Sequence, residues 1–220
     1  MTCALARPIR PPIVSEGTPP PIRYQEIAPK LPLEGDVDLA AIIDGDGPLE
    51  LDIGFGHGSS IYERAAQAPE SRLLGIEIKN KWATKVAERC ARRGLTNVRV
   101  FANDARDILR RGGPPGCLQR VFVHFPDPWW KRRHAKRMVV GGELLDDLAR
   151  LLTVGGELLV QTDVEARAQE YRAAMFMHPH FQLAGEGGWL DHNPFGARSN
   201  REIRAEEDGL PIYRLLAVRV

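Results

Sequence analysis

The order of the apolar segments is the feature that most limits the folds open to this 220-residue chain. From Pro48 onward, short runs rich in leucine and β-branched residues alternate with longer segments whose apolar residues recur at helical spacing. This alternation is typical of βαβ units built around a mainly parallel sheet. The predicted fold is therefore α/β, with helices on both faces of a central sheet.

The same alternation of apolar runs predicts where the individual strands and helices lie. The predicted strands are residues 49–55, 72–78, 97–103, 120–125 and 157–163, and the predicted helices lie at about 58–68, 80–94, 143–153 and 164–177. The segments FQLAGE and IYRLLAVRV then predict a closing pair of strands, separated by a long polar stretch from Gly187 to Pro211. A loop of that length inside a compact domain is usually functional or disordered.

The N-terminal segment differs in composition from the rest of the chain. Residues 1–35 are rich in proline and have no apolar periodicity, which predicts a flexible tail before a single domain at 36–220. Prolines also interrupt the N-terminus where a signal peptide needs its apolar stretch, and the sequence has no run long enough for a membrane span. We expect a cytoplasmic protein with no membrane partner.

The charge and the cysteine content further limit the kinds of binding site that the chain can carry. The formal net charge is +1, so any affinity for nucleic acid must come from local clustering. The three cysteines are far apart and lack CxxC spacing, which argues against a disulfide framework and a thiolate metal site. No bound metal is expected.

The segment LDIGFGHGSS predicts a ligand-binding turn between the first strand and the first helix. Its glycines let the backbone approach a nucleoside closely, and Glu77 ends the next strand about 20 residues later, where a carboxylate can bind ribose hydroxyls. Asn103 and Asp104 end the third strand and offer acceptors to an adenine amino group. A tight turn without a ligand is the alternative. The glycines concerned are Gly54, Gly56 and Gly58.

The acidic character of this set favours one class of cofactor. A dinucleotide brings a pyrophosphate, which nearby carboxylates repel and which prefers a GxGxxG turn. Here the pattern is GxGxG with Asp52 two residues before the first glycine. S-adenosyl-L-methionine has no phosphate and carries a sulfonium and an ammonium group, so it suits a site with Asp52 better.

The segment HFPDPWWKRRHAKR predicts a second part of the site, at the end of the fourth strand. Asp127 stands between Pro126 and Pro128, which fix the backbone on both sides and hold the carboxylate in one direction. The following cations form a candidate phosphate-binding run, with a solvated charged surface as the alternative. The run comprises Lys131, Arg132, Arg133, Lys136 and Arg137.

Two later segments can reach the same crevice. Asp163 ends the fifth strand, where it is also placed to cap the following helix. SNREIR contributes Ser199, Glu202 and Arg204 from the long polar stretch, for which an exposed loop is the alternative.

Together these motifs resemble the bacterial tRNA (guanine-N7)-methyltransferases from about Pro48 to the C-terminus. The resemblance implies a Rossmann-like class I methyltransferase fold, S-adenosylmethionine as methyl donor, and N7 of guanine 46 in the tRNA variable loop as acceptor. It implies cofactor contacts and substrate contacts, with Asp127 as the catalytic residue. The cofactor set is Asp52, Glu77, Asp104 and Asp127, and the substrate set is Lys131, Asp163 and the segment from Ser199 to Glu202.

The chain departs from the family pattern at three positions. Asp52 stands where glutamate is more common, Ser199 where threonine is more common, and Ala205 where glycine is common. The first two keep the functional group, but Asp52 has a shorter reach than glutamate and Ser199 lacks the methyl group of threonine. The sequence leaves open a monomer or a homodimer, a methyltransferase with another substrate, a non-catalytic RNA-binding subunit and, least favoured, a nicotinamide oxidoreductase.

Overall fold

The computed structural model describes residues 23–126 and 140–220. Within these ranges the strands are β1 (Val37–Asp38), β2 (Leu49–Ile53), β3 (Arg72–Ile76), β4 (Val98–Phe101), β5 (Gly112–Gly113), β6 (Leu118–His124), β7 (Leu152–Thr162), β8 (Phe181–Leu183), β9 (Trp189–Leu190) and β10 (Tyr213–Arg219). The helices are α1 (Tyr24–Ile27), α2 (Ser59–Gln67), α3 (Asn80–Arg92), α4 (Ala105–Arg111), α5 (Gly142–Leu151), α6 (Glu165–Met177) and α7 (Asn200–Glu207).

Eight of these strands form one sheet. Its order is β4–β3–β2–β6–β7–β10–β8, with β9 beside β10, and β1 pairs with β5 separately. Strands β4, β3, β2, β6 and β7 are parallel, whereas β10 is antiparallel to its neighbours. The chain runs outward from β2 to β4 and returns to β6 on the other side of β2. Open α/β sheets bind ligands at such a switch point, beyond the carboxyl ends of the strands.

The sheet has two buried faces because successive side chains on a strand point to opposite sides. On β2, Leu49, Leu51 and Ile53 face a large apolar cluster that includes residues of α4, α5 and α6. The opposite face packs against α2 and α3. Helices on both faces of a mainly parallel sheet confirm the predicted fold class.

A buried ion cluster supports the segment that leads into α7. Glu50 is fully buried and accepts hydrogen bonds from Arg64 at 2.6 Å and from Arg120 at 2.8 Å. The ring of Phe195 lies over both guanidinium groups, 5.8 and 4.9 Å from ring centre to guanidinium carbon. Phe195 also meets Phe122 of β6 edge-on at 5.5 Å between ring centres. These contacts hold residues before α7 against the sheet.

The predicted elements agree with the structure in type and differ in extent. All five predicted strands and all four predicted helices are present, and β8 pairs with β10 as the predicted closing pair. Helix α4 was not predicted. A loop throughout 187–211 is wrong, because β9 and α7 lie within that stretch.

Residues just before the predicted domain start are packed against the domain. Leu31 belongs to the large apolar cluster, and Arg111 donates hydrogen bonds to the carbonyl oxygens of Pro32 and Gly35. The backbone of Pro29 accepts a hydrogen bond from Ala102 N at 2.7 Å. Residues 1–22, which make up most of the predicted tail, lie outside the described part of the chain.

Candidate active site

The glycine turn after β2 presents an open surface. Gly54, Gly56 and Gly58 all have positive φ angles, of 73°, 55° and 83°. A Cβ added at Gly54 or Gly56 would meet no atom within 4 Å, so one side of the turn is free for a ligand. At Gly58 the added Cβ would lie 2.7 Å from Val86 Cγ2, so this glycine is required for packing α2 against α3.

Glu77 fixes the shape of this turn. Its Oε2 accepts a hydrogen bond from Gly56 N at 3.0 Å, and its Oε1 accepts one from Lys79 N at 2.8 Å. The residue is 6% exposed. Each carboxylate oxygen has a second lone pair. Glu77 can therefore hold the turn and still accept hydrogen bonds from a ligand's hydroxyl groups.

Asp52 is a buried carboxylate with one oxygen unused. Its Oδ2 accepts a hydrogen bond from Ser60 Oγ at 2.6 Å, whereas its Oδ1 is buried without a partner among residues 23–126 and 140–220. Burial raises the pKa of Asp52, and nearby His124 and the Ser60 hydrogen bond oppose that rise. A cation placed beside Oδ1 would relieve the desolvation of the ionised form.

The predicted adenine acceptors are already engaged within the protein. Asn103 Oδ1 accepts a hydrogen bond from Leu31 N at 2.9 Å, and its Nδ2 donates to Leu31 O at 3.4 Å. Asp104 caps α4 by accepting from Arg106 N at 3.0 Å. The Arg106 guanidinium beside it lowers the pKa of Asp104 and keeps it ionised. Asn103 thus joins the N-terminal segment to the end of β4.

Helix α7 places a second buried carboxylate near the end of β7 and the start of β10. Ser199 caps the helix, its Oγ accepting from Glu202 N at 3.1 Å. Glu202 is fully buried, and its Oε1 accepts from Gln161 Nε2 at 2.8 Å and from Arg214 Nη2 at 3.1 Å. Its Oε2 has no partner within the described ranges.

This hydrogen-bond chain continues to β6. His124 Nδ1 and Gln161 Oε1 are 2.6 Å apart. Because Gln161 Nε2 donates to Glu202, Gln161 Oε1 is the acceptor, which puts a proton on His124 Nδ1. His124, Gln161 and Arg214 were not predicted as residues of the candidate site. The sequence does contain an indication of their role, because His124 and Gln161 are polar residues near the ends of two strands that are otherwise apolar.

Asp163 is held by α7 and does not cap α6. Its carboxylate is paired with the Arg201 guanidinium, which donates from Nε at 2.9 Å and also from Nη2. The N-cap of α6 is Val164, whose backbone N donates to Thr162 Oγ1 at 3.2 Å. The helix-cap interpretation of Asp163 is therefore wrong. The ion pair brings the end of β7 and the first turn of α7 together.

Comparison with known proteins identifies the family. A family described as "Putative methyltransferase" matches residues 46–215. The tRNA (guanine-N(7)-)-methyltransferase of Nostoc sp. is 37% identical over 202 residues, which cover 90% of this chain and 91% of that protein. The protein of the same name from Synechococcus elongatus is 40% identical over 80% of this chain and 84% of its own length. The chain belongs to the tRNA (guanine-N(7)-)-methyltransferase family.

Solved structures agree with this family at the level of the fold. The 16S rRNA methyltransferase KamB is 20% identical, with a TM-score of 0.56 over 83% of this chain and 91% of that one. TrmN from Thermus thermophilus is 18% identical, with a TM-score of 0.56 over 79% of this chain and 44% of that one. The class I methyltransferase fold implied by the sequence resemblance is thereby confirmed.

The described site fits the cofactor expected for a tRNA (guanine-N(7)-)-methyltransferase. The open side of the glycine turn offers room, and Asp52 Oδ1 offers an unused negative oxygen to a sulfonium or ammonium group. Glu77 offers acceptors to ribose hydroxyls. Among residues 23–126 and 140–220, no cluster of three or more metal-ligating side chains occurs, and no helix is long and apolar enough to cross a membrane.

The family's most specific motif lies mainly outside the described part of the chain. β6 ends at His124, and the chain then passes through Phe125, whose φ of 47° is unusual for a non-glycine residue. The predicted catalytic residue and the predicted phosphate-binding run follow. The predictions that fall outside the described ranges are those for Asp127, Lys131, Arg132, Arg133, Lys136 and Arg137, and Trp129 and Trp130 of the same motif also lie there.

Proposed function

We propose that this protein transfers the methyl group of S-adenosyl-L-methionine to N7 of a guanine in tRNA, at position 46 of the variable loop. The observation that carries the proposal is the similarity to tRNA (guanine-N(7)-)-methyltransferases over 90% of the chain. We place the enzyme in the cytoplasm, where tRNA is its partner.

The chemistry sets modest demands on the protein. Guanine N7 has an in-plane lone pair and no proton, so the reaction needs no general base. The cofactor supplies an electrophilic methyl group on a sulfonium. The protein must bind both reactants in line and exclude competing geometries, and such positioning is worth about 7–11 kcal/mol in favourable cases.

Each group in the site has a proposed role in that positioning. Asp52 and Glu77 bind the cationic and ribose parts of the cofactor, and Asn103 and Asp104 line the adenine end. Asp127 orients the guanine and stabilises the positive charge that develops on it. Lys131, Asp163, Ser199 and Glu202 contact the substrate nucleotide, and the cations from Arg132 to Arg137 bind phosphates.

The two acidic candidates for substrate binding differ in whether their carboxylate oxygens are already hydrogen-bonded. Asp163 is engaged by Arg201, whereas Glu202 keeps Oε2 unused and buried. Guanine presents N1–H and N2–H₂ donors on the edge away from N7, and adenine does not. A fixed acceptor such as Glu202 Oε2 therefore favours guanine, because an unmatched buried acceptor costs about 1–3 kcal/mol.

Nucleoside analysis tests the proposal directly. Purified protein is incubated with unmodified tRNA transcript and methyl-labelled cofactor, and a matched transcript carries adenine in place of guanine at position 46. We expect labelled 7-methylguanosine from the first transcript only, and a loss of at least about 100-fold in rate with Asp127→Asn. Label in another nucleoside, or none with the wild-type protein, would contradict the proposal.

A further inference from the structure

Helix α3 carries positive side chains at every fourth position. Lys81, Lys85, Arg89 and Arg93 are all exposed, the last being the C-cap of the helix. Residues four apart lie on one helix face, separated by about 6 Å along the axis. These four residues, here called the α3 stripe, therefore form a line of charge about 18 Å long.

This arrangement differs from an ordinary solvated helix face. Like charges four residues apart repel, and each such pair destabilises a helix by about 0.2–0.5 kcal/mol. Within residues 23–126 and 140–220, no member of the stripe forms a salt bridge with a carboxylate. The helix's acidic residue, Glu88, lies 4.0 Å from Arg92 instead. The folded chain thus retains an uncompensated row of cations.

The charge is also local. Residues 79–93 contain six lysines and arginines and one acidic residue, whereas the whole chain has a net charge of +1. The rest of the chain is therefore net negative. A general requirement for solubility does not explain why the positive charge is concentrated on this helix.

Two aromatic rings hold the cations in pairs. The ammonium groups of Lys81 and Lys85 lie 5.3 and 5.7 Å from the ring centre of Trp82. Arg89 and Arg93 lie 5.4 and 4.4 Å from the ring centre of Tyr62. Contacts of this kind restrict flexible side chains, so less entropy is lost when the cations bind an anion.

The stripe begins at the candidate cofactor site. Trp82 is half-buried, and its ring centre is 3.9 Å from that of exposed His57, which lies between Gly56 and Gly58. An extended anion bound along the stripe would therefore reach the turn where the methyl donor is proposed to bind. A polyanionic substrate of the same enzyme meets this requirement.

We propose that the α3 stripe binds the phosphate backbone of the tRNA substrate, as a docking surface additional to the cations at 131–137. The proposal rests on the proposed function for the identity of the RNA. A nucleic acid strand offers one negative charge per nucleotide in a line, which complements a linear row of cations better than an acidic protein surface of mixed groups does.

A charge-neutralised variant tests the stripe. In Lys85→Gln/Arg89→Gln we expect tRNA binding about tenfold weaker at 0.1 M salt, and a plot of log K against log salt whose slope is less steep by about 1.5. The KM for tRNA should rise by a similar factor. The Kd for S-adenosylmethionine and the maximal rate at saturating tRNA should stay at wild-type values.

The control removes the same charge from the opposite face of the sheet. Arg110→Gln/Arg167→Gln changes one residue on α4 and one on α6, which pack against the other apolar cluster. This variant should retain the wild-type salt slope. If both variants lower the slope equally, net charge explains the effect and the stripe has no specific role.

The outcomes separate this proposal from the proposed function. If wild-type protein forms 7-methylguanosine and Lys85→Gln/Arg89→Gln keeps the wild-type Kd and salt slope, the stripe proposal is wrong and the enzyme assignment stands. If the wild type binds tRNA through the stripe and forms no 7-methylguanosine, the stripe is supported and the activity is wrong. Loss of binding to anionic phospholipid vesicles with unchanged tRNA binding would assign the stripe to a membrane surface and overturn the proposal.

Discussion

At the scale of single residues, the candidate site contains buried carboxylates that each have one oxygen without a hydrogen-bond partner among the described residues. Asp52 is 1% exposed and has one oxygen without a partner among the described residues. Its raised pKa, caused chiefly by burial, means that the folded protein disfavours the ionised form. Groups of this kind are typical of functional sites, since a ligand supplies the missing interaction.

The sign of this effect gives a prediction for Asp52→Asn. Because the folded pKa lies above the ordinary value, the stabilising contribution of protonated Asp52 is present at low pH and is lost as pH rises through the folded pKa. At pH 7 without cofactor, we therefore expect the variant to unfold with a larger free energy than the wild type. Cofactor binding should weaken by about 2 kcal/mol, roughly 30-fold.

Urea unfolding and calorimetric titration with S-adenosylmethionine measure the two effects. Asp44→Asn, at an exposed position, is the matched control and should change neither quantity. In the wild type, cofactor affinity should rise as pH increases through the Asp52 pKa. Tight cofactor binding by Asp52→Asn would remove this carboxylate from the cofactor site.

At the scale of elements, the turn between β2 and α2 combines two requirements on neighbouring glycines. Gly54 has a positive φ and open space beside it, whereas Gly58 has a positive φ and the side chain of Val86 against it. The sequence predicted a glycine turn. It did not show that one glycine faces the ligand space and another faces a helix.

We expect Gly54→Ala and Gly58→Ala to fail in different ways. Both place a Cβ in the left-handed region, at about 1–2 kcal/mol. Gly58→Ala adds a clash with Val86, so its free energy of unfolding should fall by about 1–3 kcal/mol more. Gly54→Ala should mainly weaken cofactor binding, because its Cβ enters the open side of the turn.

Denaturant unfolding with cofactor titration distinguishes the two variants. Gly58→Ala should lower the free energy of unfolding less in a Val86→Ala background than in the wild type, because the smaller side chain at position 86 makes room for the new Cβ. Equal loss of stability in Gly54→Ala and Gly58→Ala, with equal cofactor affinity, would contradict this division of roles.

At the scale of the whole molecule, one buried polar network joins the end of the sheet to α7. It runs from His124 through Gln161 to Glu202 and Arg214, residues on β6, β7, α7 and β10. Arg214 is 9% exposed and also lies 3.7 Å from Glu206. The network thus ties Glu202, a candidate for substrate binding, to three strands that are far apart in the sequence.

Breaking this network should be costly unless both charges are removed. Arg214→Met leaves Glu202 buried without its counter-ion and should lower the free energy of unfolding by about 3 kcal/mol or more. Adding Glu202→Gln should recover most of that loss, since a neutral amide still accepts from Gln161. Chemical denaturation of the two single variants and the double variant measures this coupling. Additive losses would show that the pair does not interact.

The class of fold and the polar ends of the strands could be predicted from the amino-acid sequence. Both follow from local rules, because the alternation of apolar runs sets the element types and a parallel sheet brings strand ends to one edge. The sequence also identified Asp52, Glu77, Asp163 and Glu202 as candidates. The hydrogen-bond partners of these residues could not be predicted, because the hydrogen bonds join residues far apart in the chain.

Only the folded structure shows which of these polar groups are hydrogen-bonded within the protein and which keep an oxygen available for a ligand. Asn103 is committed to Leu31, 72 residues away, and Asp163 to Arg201, 38 residues away, whereas Asp52 and Glu202 each keep an oxygen available within the described ranges. Helix α7 was not predicted because its residues are mostly polar, and its stability comes from buried contacts that the sequence does not show. Burial and pairing depend on packing across the whole chain, and no local pattern encodes them.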